Sequence, residues 1–155
     1  MGAVWFYHLT QSPPDRVLAL LLPRALEAGW RVAVRSPDAA RLDWLDEQLW
    51  LGAEEAFLPH GRAGGPHDAD QPVLLTTAAD CPNGASCVIA LDGAPVSAAE
   101  AAALARACIL FDGHDPAALE AARAQWRALT GAGLAAEYWA EDGGRWQRKA
   151  TRPPA

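Results

Sequence analysis

Strand-like and helix-like segments alternate along most of this chain, and the alternation constrains the fold more than any other feature of the sequence. Residues 3–9 are rich in aromatic and branched side chains, which favours a first strand. Leucines and a valine then recur at helical spacing over residues 17–26, and Gly29 ends that helix. A second strand and a second helix follow over residues 30–49. Because a helix separates successive strands, the order predicts parallel strand pairing.

Four helix starts are marked by a polar capping residue, and three of these are followed by proline. A capping oxygen accepts hydrogen bonds from the free N–H groups of the first turn, and proline suits the first helical position because it needs no such bond. The predicted starts are Ser12-Pro13, Ser36-Pro37, Ser97 with Glu100 as a capping box, and Asp115-Pro116. The second helix is predicted to bury Leu42, Leu45 and Leu49.

The remaining segments complete a single α/β domain. Short apolar runs predict strands over residues 73–76, 87–91 and 108–111, and residues 61–72 read as a mobile, turn-rich loop. Two further strands, at residues 134–139 and 145–149, are predicted to flank a hairpin turn of Glu141-Asp142-Gly143-Gly144. The prediction is one three-layer domain over residues 1–150, with a mostly parallel central sheet, a C-terminal antiparallel hairpin and a disordered tail at 151–155.

Charge and composition exclude several classes of protein. The chain carries 19 acidic and 13 basic residues, a net charge of -6, which disfavours direct binding to a phosphate backbone. No apolar run approaches the roughly 20 residues that a membrane span needs, and the N-terminus lacks the basic start of a signal peptide. Cys81, Cys87 and Cys108 form no CxxC pair. A soluble cytoplasmic protein is expected.

The sequence carries no recognisable motif for enzymatic chemistry. The first strand-to-helix turn, residues 8–13, contains no glycine, and the glycines of residues 61–65 lack the lysine-hydroxyl ending of a P-loop. The candidate metal ligands match no known spacing, and no Gly-x-Ser-x-Gly element occurs; those candidates are His60, His67, Asp68, Asp70 and Cys81. We therefore expect no cofactor, no metal and no catalysis. The alternative is a small nucleotide- or metal-dependent enzyme with residues 61–70 as a lid.

The last predicted helix combines an apolar stripe with two arginines. Leu119, Ala122, Trp126 and Leu129 recur at helical spacing, and Arg123 and Arg127 adjoin that stripe. Two guanidinium groups beside an indole suit a peptide whose end is both hydrophobic and carboxylated. The alternative is a solvated basic helix face without a partner.

A second aromatic cluster follows the second helix. Trp50 lies at the helix end and leads through a short turn into Phe57-Leu58-Pro59-His60. Tryptophan is one of the residues that dominate binding surfaces, so this cluster is a candidate partner site. The alternative is that Trp50 and Phe57 only close the edge of the domain, since large aromatic side chains usually pack inward.

Several ordered motifs resemble the chi subunit family of the bacterial DNA polymerase III holoenzyme. They run from near the N-terminus to the last predicted helix and together span nearly the whole chain. The motifs are Phe6-Tyr7-His8-Leu9, Leu45-Asp46-Glu47-Gln48-Leu49-Trp50, Phe57-Leu58-Pro59-His60-Gly61, Pro72-Val73-Leu74-Leu75, Phe111-Asp112-Gly113, and residues 122–127.

The resemblance implies a Rossmann-like α/β fold and a non-catalytic accessory subunit that bridges the clamp-loader complex to single-stranded DNA-binding protein. It implies that the acidic, aromatic-ended C-terminal tail of that protein docks on Asp112, Arg123, Trp126 and Arg127. It also implies that Trp50, Phe57, Pro59 and His60 hold the psi subunit or, in some bacteria, a helicase-like partner. Little direct contact with nucleic acid and none with membranes is expected.

Overall fold

The architecture is an eight-stranded sheet with helices on both faces. The structure, a computed structural model, describes residues 2–51, 60–78 and 82–153, and the side chains of residues 50 and 51 are not part of that description. The elements in chain order are β1 (Ala3–Leu9), α1 (Pro14–Glu27), β2 (Val32–Arg35), α2 (Ala39–Leu51), β3 (Gly61–Arg62), a 3-10 turn (Asp68–Asp70), β4 (Val73–Thr76), β5 (Cys87–Ala90), α3 (Ala98–Ala103), β6 (Arg106–Asp112), α4 (Pro116–Gly131), β7 (Ala135–Asp142) and β8 (Arg145–Arg152).

The sheet is parallel except at its C-terminal edge. Its strand order is β3-β4-β2-β5-β6-β1-β7-β8, so β1 lies between β6 and β7. Phe6 on β1 faces Ile109 on one side and Tyr138 on the other. Only the pairing of β7 with β8 is antiparallel among the described strands. The predicted three-layer α/β class with a mostly parallel sheet and a C-terminal hairpin is confirmed.

Alternate residues of the strands pack into two separate apolar cores, one on each face of the sheet. Tyr7 and Leu9 of β1 pack with α1 and α2, where Leu42 is fully buried. Val4 and Phe6 of the same strand pack on the opposite face with α3 and α4. This division follows from the two-residue period of a strand, which sends neighbouring side chains to opposite faces. The predicted buried positions Leu42, Leu45 and Leu49 are confirmed, each at most 6% exposed.

The predicted 61–72 loop contains ordered structure. Gly61–Arg62 forms β3, which pairs in parallel with β4, and Asp68–Asp70 forms the 3-10 turn. Asp68 holds that segment, because its carboxylate accepts the amide N–H groups of Gly64 and Gly65 at 2.8 and 3.0 Å. The interpretation as a loop without regular structure was wrong. A strand of two residues is too short to show an alternation of apolar and polar side chains in the sequence.

Two of the predicted helix caps were also wrong. The side chain of Ser12 makes no cap, and it instead donates to Glu141 Oε2 at 2.6 Å. In α2 the cap is Asp38, whose Oδ1 accepts from the amides of Ala40 and Arg41. Ser36 lies two residues too early and donates to Asp92. The caps at Ser97 and Asp115 are confirmed.

The C-terminal hairpin is longer than predicted at both strands. β7 continues through Asp142, so Glu141 lies in a strand and not in the turn. The turn is made by Gly143 and Gly144, whose φ values of 60° and 82° suit a tight hairpin. β8 extends to Arg152, so residues 151 and 152, predicted as part of a disordered tail, pair with Glu137 and Ala136.

Candidate functional site

Helix α4 positions the predicted arginine and tryptophan side chains. Asp115 caps it by accepting the Ala117 amide at 3.0 Å, and Pro116 begins its first turn. The predicted stripe faces the sheet, where Ala122 and Leu129 are buried and Leu119 and Trp126 are partly buried. This packing fixes the rotation of the helix and therefore leaves Arg123 and Arg127 at the rim of the stripe, both exposed.

Trp126 is held by two aromatic side chains from the sheet. Its ring lies 5.4 Å from Phe6 in an edge-to-face arrangement and 6.0 Å from Tyr138 at an angle of 78°. Phe6 and Tyr138 stack on each other at 6.4 Å. Such pairs stabilise by about 0.5–1.5 kcal/mol each beyond the area they bury. The indole is therefore a fixed surface and not a mobile side chain.

A groove of about 510 Å³ opens beside this cluster. We name it the α4–β8 groove, because α4 forms one wall and the end of β8 forms the other. Its lining residues are Arg123, Trp126, Arg127, Tyr138, Ala150, Thr151 and Arg152. The volume lies in the range of ordinary ligand sites, and the floor is aromatic while the walls are basic.

The arginines of the groove are weakly engaged within the protein. Arg123 and Arg127 both approach Glu120, at 4.0 and 3.8 Å, and their side chains are 59% and 66% exposed. Exposed ion pairs of this length contribute about 1 kcal/mol or less, so they do not prevent the guanidinium groups from binding another carboxylate. The two arginines therefore share one internal acid and retain free hydrogen-bond donors.

The polar groups under the groove add no charge to it at neutral pH. His8 Nδ1 lies 2.9 Å from the hydroxyl of Tyr138. Burial lowers the pKa of His8, and the nearby His114 and Arg123 lower it further. Burial also raises the pKa of Tyr138, against the opposing effect of Arg123. Both side chains are therefore neutral, and the positive charge of the groove comes from its arginines.

Asp112 does not share the groove with the other three predicted tail-binding residues. Its carboxylate accepts the His114 amide at 2.9 Å and lines a different cavity, of about 700 Å³, at the carboxyl ends of β1, β5 and β6. Asp112 is therefore not a lining residue of the groove, although its carboxylate and the guanidinium of Arg123 both influence the pKa of His8.

Glu141 occupies the place where related architectures bind phosphate. Its Oε1 accepts the amide N–H groups of Thr10, Gln11 and Ser12 at 3.0, 3.2 and 3.0 Å. In nucleotide-binding sheets the amides of this first strand-to-helix turn bind the phosphate. Here an internal carboxylate takes them, and Pro13 and Pro14 have no N–H to offer. The geometry therefore argues against the nucleotide-dependent alternative.

We expect Glu141→Gln to lower the free energy of unfolding by roughly 1–3 kcal/mol at pH 7, the scale for a hydrogen-bonded charge. Burial raises the pKa of Glu141, but the bonds from Ser12, Gln11 and Thr10 outweigh it and lower the pKa overall. The carboxylate therefore stabilises the fold above the unfolded pKa of about 4.3 and loses that effect as the pH falls through the lower folded value. Urea unfolding of both proteins at neutral and strongly acidic pH checks this. An equal difference at both pH values would contradict it.

The second predicted partner surface is only partly described. His60 is buried, with Nε2 3.0 Å from Asp46 Oδ1 and 3.2 Å from the Asp46 carbonyl oxygen. Its predicted direct contact with a partner therefore disagrees with its position, because the side chain faces inward onto α2. Phe57, Pro59 and the side chain of Trp50 lie outside the described residues.

The candidate metal ligands do not assemble within the described parts of the chain. No group of three or more His, Cys, Asp and Glu side chains there could hold a metal ion. Of the candidates, Asp68 is engaged by the amides of its own loop, and Cys81 lies outside the described residues. Among the helices of residues 2–51, 60–78 and 82–153, none has the length and apolar character needed to cross a membrane.

The sequence analysis missed two residues, one that lines the groove and one that binds the first strand-to-helix turn. Arg152 falls in the segment predicted to be disordered, and Glu141 falls in the predicted turn. For Arg152 a signal existed, because residues 115–155 carry 6 basic and 5 acidic residues while the whole chain is acidic. This contrast indicates that the C-terminal part is the more basic one. No local signal exists for Glu141, because its partners lie about 130 residues away in sequence.

Comparison with known proteins gives a consistent result. Residues 1–137 match the family described as DNA polymerase III chi subunit, HolC. The chain is also 24% identical over 83 residues to a protein of Rickettsia prowazekii (strain Madrid E) named "Probable DNA polymerase III subunit chi". That alignment covers 54% of this chain and spans about half, 50%, of the relative. Since the family match covers most of the sequence, including α4 and its two arginines, the chain belongs to the DNA polymerase III chi subunit family.

Proposed function

We propose that this chain is a non-catalytic accessory subunit of the DNA polymerase III holoenzyme that binds the acidic C-terminal tail of single-stranded DNA-binding protein in the α4–β8 groove. The observation that carries the proposal is the pairing of exposed guanidinium groups with a fixed indole at one opening. Through a second surface, the subunit connects that tail to the clamp-loader complex during DNA replication.

The chemistry of the groove fits such a tail. An aromatic terminal residue packs on Trp126 and Tyr138, which the ring cluster holds in place. The carboxylates of the tail pair with Arg123 and Arg127, whose planar guanidinium groups suit carboxylates. An overall charge of -6 keeps the rest of the protein from competing for the DNA itself, which agrees with an adaptor role.

Arg123→Ala is expected to weaken binding of an acidic, phenylalanine-ended peptide by about 1–3 kcal/mol, the scale of a charge-assisted hydrogen bond. Titration calorimetry measures it, with a wild-type dissociation constant expected in the micromolar range. Added salt should weaken the wild-type complex, because part of the attraction is screened. An affinity of Arg123→Ala equal to that of wild type would reject this site.

One control variant and one control peptide separate the site from general charge effects. Arg24 is also an exposed helical arginine, but its helix α1 packs on the opposite face of the sheet. Arg24→Ala should therefore bind the peptide as wild type does. An amidated peptide, which lacks the terminal carboxylate, should bind more weakly to the wild type.

The second surface of the proposal comprises Trp50, Phe57 and Pro59 as the contact with psi or a helicase-like partner. His60 supports that surface from within, since its side chain is buried and contacts Asp46. Trp50→Ala belongs in the same calorimetric series, and it should leave the affinity for the acidic peptide unchanged because α2, which carries Trp50, packs on the opposite face of the sheet from α4. A loss of peptide binding in Trp50→Ala would show that the two surfaces are not separate.

A further inference from the structure

We propose that Arg152 is a third carboxylate-binding residue of the α4–β8 groove, so that the groove binds two carboxylates of one peptide from opposite walls. The inference rests on the proposed function and deepens it. Arg123 and Arg127 act from α4, whereas Arg152 acts from the last residue of β8. A ligand that bridges both walls must carry an acidic side chain in addition to its terminal carboxylate.

The position of Arg152 depends on an irregularity in the hairpin. Trp139 pairs with Arg148, but the residue before it, Tyr138, pairs with Ala150. Lys149 is therefore an extra residue of β8 without a partner in the register. A one-residue slip moves every following side chain to the other face of a strand. With regular pairing, Lys149 would stand opposite Tyr138, and Arg152 would face α1.

The bulge therefore shapes the wall of the groove. Directly opposite residues share a face, so Ala150 lies beside Tyr138 and Arg152 lies beside Ala136, both on the α4 side. The small Ala150 leaves space above the ring, and Arg152 places a cation at the rim. Arg148, opposite Trp139, lies on the other face of the same strand.

The charges of the groove favour an acidic ligand on both walls. Arg152 is exposed, and no ion pair of its guanidinium occurs among the described residues. Arg123 and Arg127 share the single carboxylate of Glu120. Three guanidinium groups thus face the groove in a protein whose overall charge is negative, and within the described parts of the chain the carboxylate that pairs with them is that of Glu120. This local reversal of charge is complementary to a peptide with several carboxylates.

A double-mutant cycle tests the inference. Wild type and Arg152→Ala are titrated with a short peptide of aspartates that ends in phenylalanine, and with the same peptide carrying asparagines in place of the aspartates. We expect Arg152→Ala to bind the aspartate peptide about fivefold more weakly, the scale for one exposed ion pair. Both proteins should bind the asparagine peptide within about twofold of each other.

Arg148→Ala is the matched control, because it removes the same charge from the same strand but from the opposite face. It should bind both peptides within about twofold of the wild type. Unchanged binding of the aspartate peptide by Arg152→Ala would overturn the inference, as would an equal loss for both peptides, because Arg152 would then not bind an acidic side chain of the ligand.

The cycle also distinguishes this inference from the proposed function. If the wild type binds the aspartate peptide and Arg123→Ala weakens it while Arg152→Ala does not, only the role of Arg152 is rejected. If the wild type binds neither peptide, the proposed function fails as well. Circular dichroism of each variant establishes that a change in affinity does not come from unfolding.

Discussion

Replacing Glu100 by glutamine is expected to lower the free energy of unfolding by about 3 kcal/mol, at the lower end of the range for breaking a buried ion pair. Arg35 at the end of β2 is only 2% exposed, and its guanidinium makes two bonds of 2.7 Å to the carboxylate of Glu100. In the variant the guanidinium stays buried without this counter-charge. We expect a loss at the lower end of that range of free energies because the Glu100 side chain is 24% exposed, so water reaches it.

A double variant separates pairing from burial. Arg35→Leu with Glu100→Leu removes both charges and leaves apolar groups between β2 and α3, and it should be closer to wild type than Glu100→Gln alone. Urea unfolding of the wild type, Glu100→Gln and the double variant gives the comparison. It requires that the free energy of unfolding depend on urea concentration with the same slope in all three proteins. A double variant as unstable as Glu100→Gln would show that the loss does not arise from separating the Arg35–Glu100 charge pair.

Features that depend on neighbouring residues could be predicted from the sequence. Asp115 and Pro116 begin α4 because capping is decided within one turn, and the helical spacing of Ala122, Trp126 and Leu129 determines which side meets the sheet. The exposed positions of Arg123 and Arg127 follow directly from that spacing. Both the residue types on the α4 wall of the groove and their exposed positions could therefore be predicted.

Features that depend on distant pairing could not be predicted. Glu100 was interpreted as part of a capping box, and its amide does bond Ser97 at 3.1 Å, but its carboxylate binds Arg35 across 65 residues. The β8 wall was missed because its register is set by a bulge at Lys149 that no local pattern marks. Asp112, which the resemblance grouped with the arginines, ends β6 and lines the other cavity instead of the groove.

The resemblance to a family adds what local patterns lack, because it groups residues by position in a fold and not by spacing alone. It assigned a specific ligand to Trp126, Arg123 and Arg127, which helical spacing had already grouped, and the structure places these three side chains on one groove. It also included His60, which the structure shows to be buried against Asp46. A family motif therefore identifies important positions without distinguishing a contact residue from a packing residue.

The largest effect on the groove itself is expected from Trp126→Ala, which removes a side chain shared by the core and the ligand surface. Loss of a buried tryptophan costs about 3–5 kcal/mol, and because Trp126 is only partly buried we expect about 3 kcal/mol of stability to be lost. The contacts with Phe6 and Tyr138 disappear together with the floor of the groove.

Peptide affinity should fall by more than about tenfold in the same variant, since an aromatic anchor typically carries a large share of a small interface. Trp126→Phe is the matched control: it keeps an aromatic ring against Phe6, so it should cost about 1 kcal/mol or less in stability and only a few-fold in affinity. Calorimetry is done at a temperature where circular dichroism shows every variant folded. If folded Trp126→Ala binds the acidic peptide as tightly as wild type, the ligand does not rest on the indole, and the groove between α4 and β8 is not its binding site.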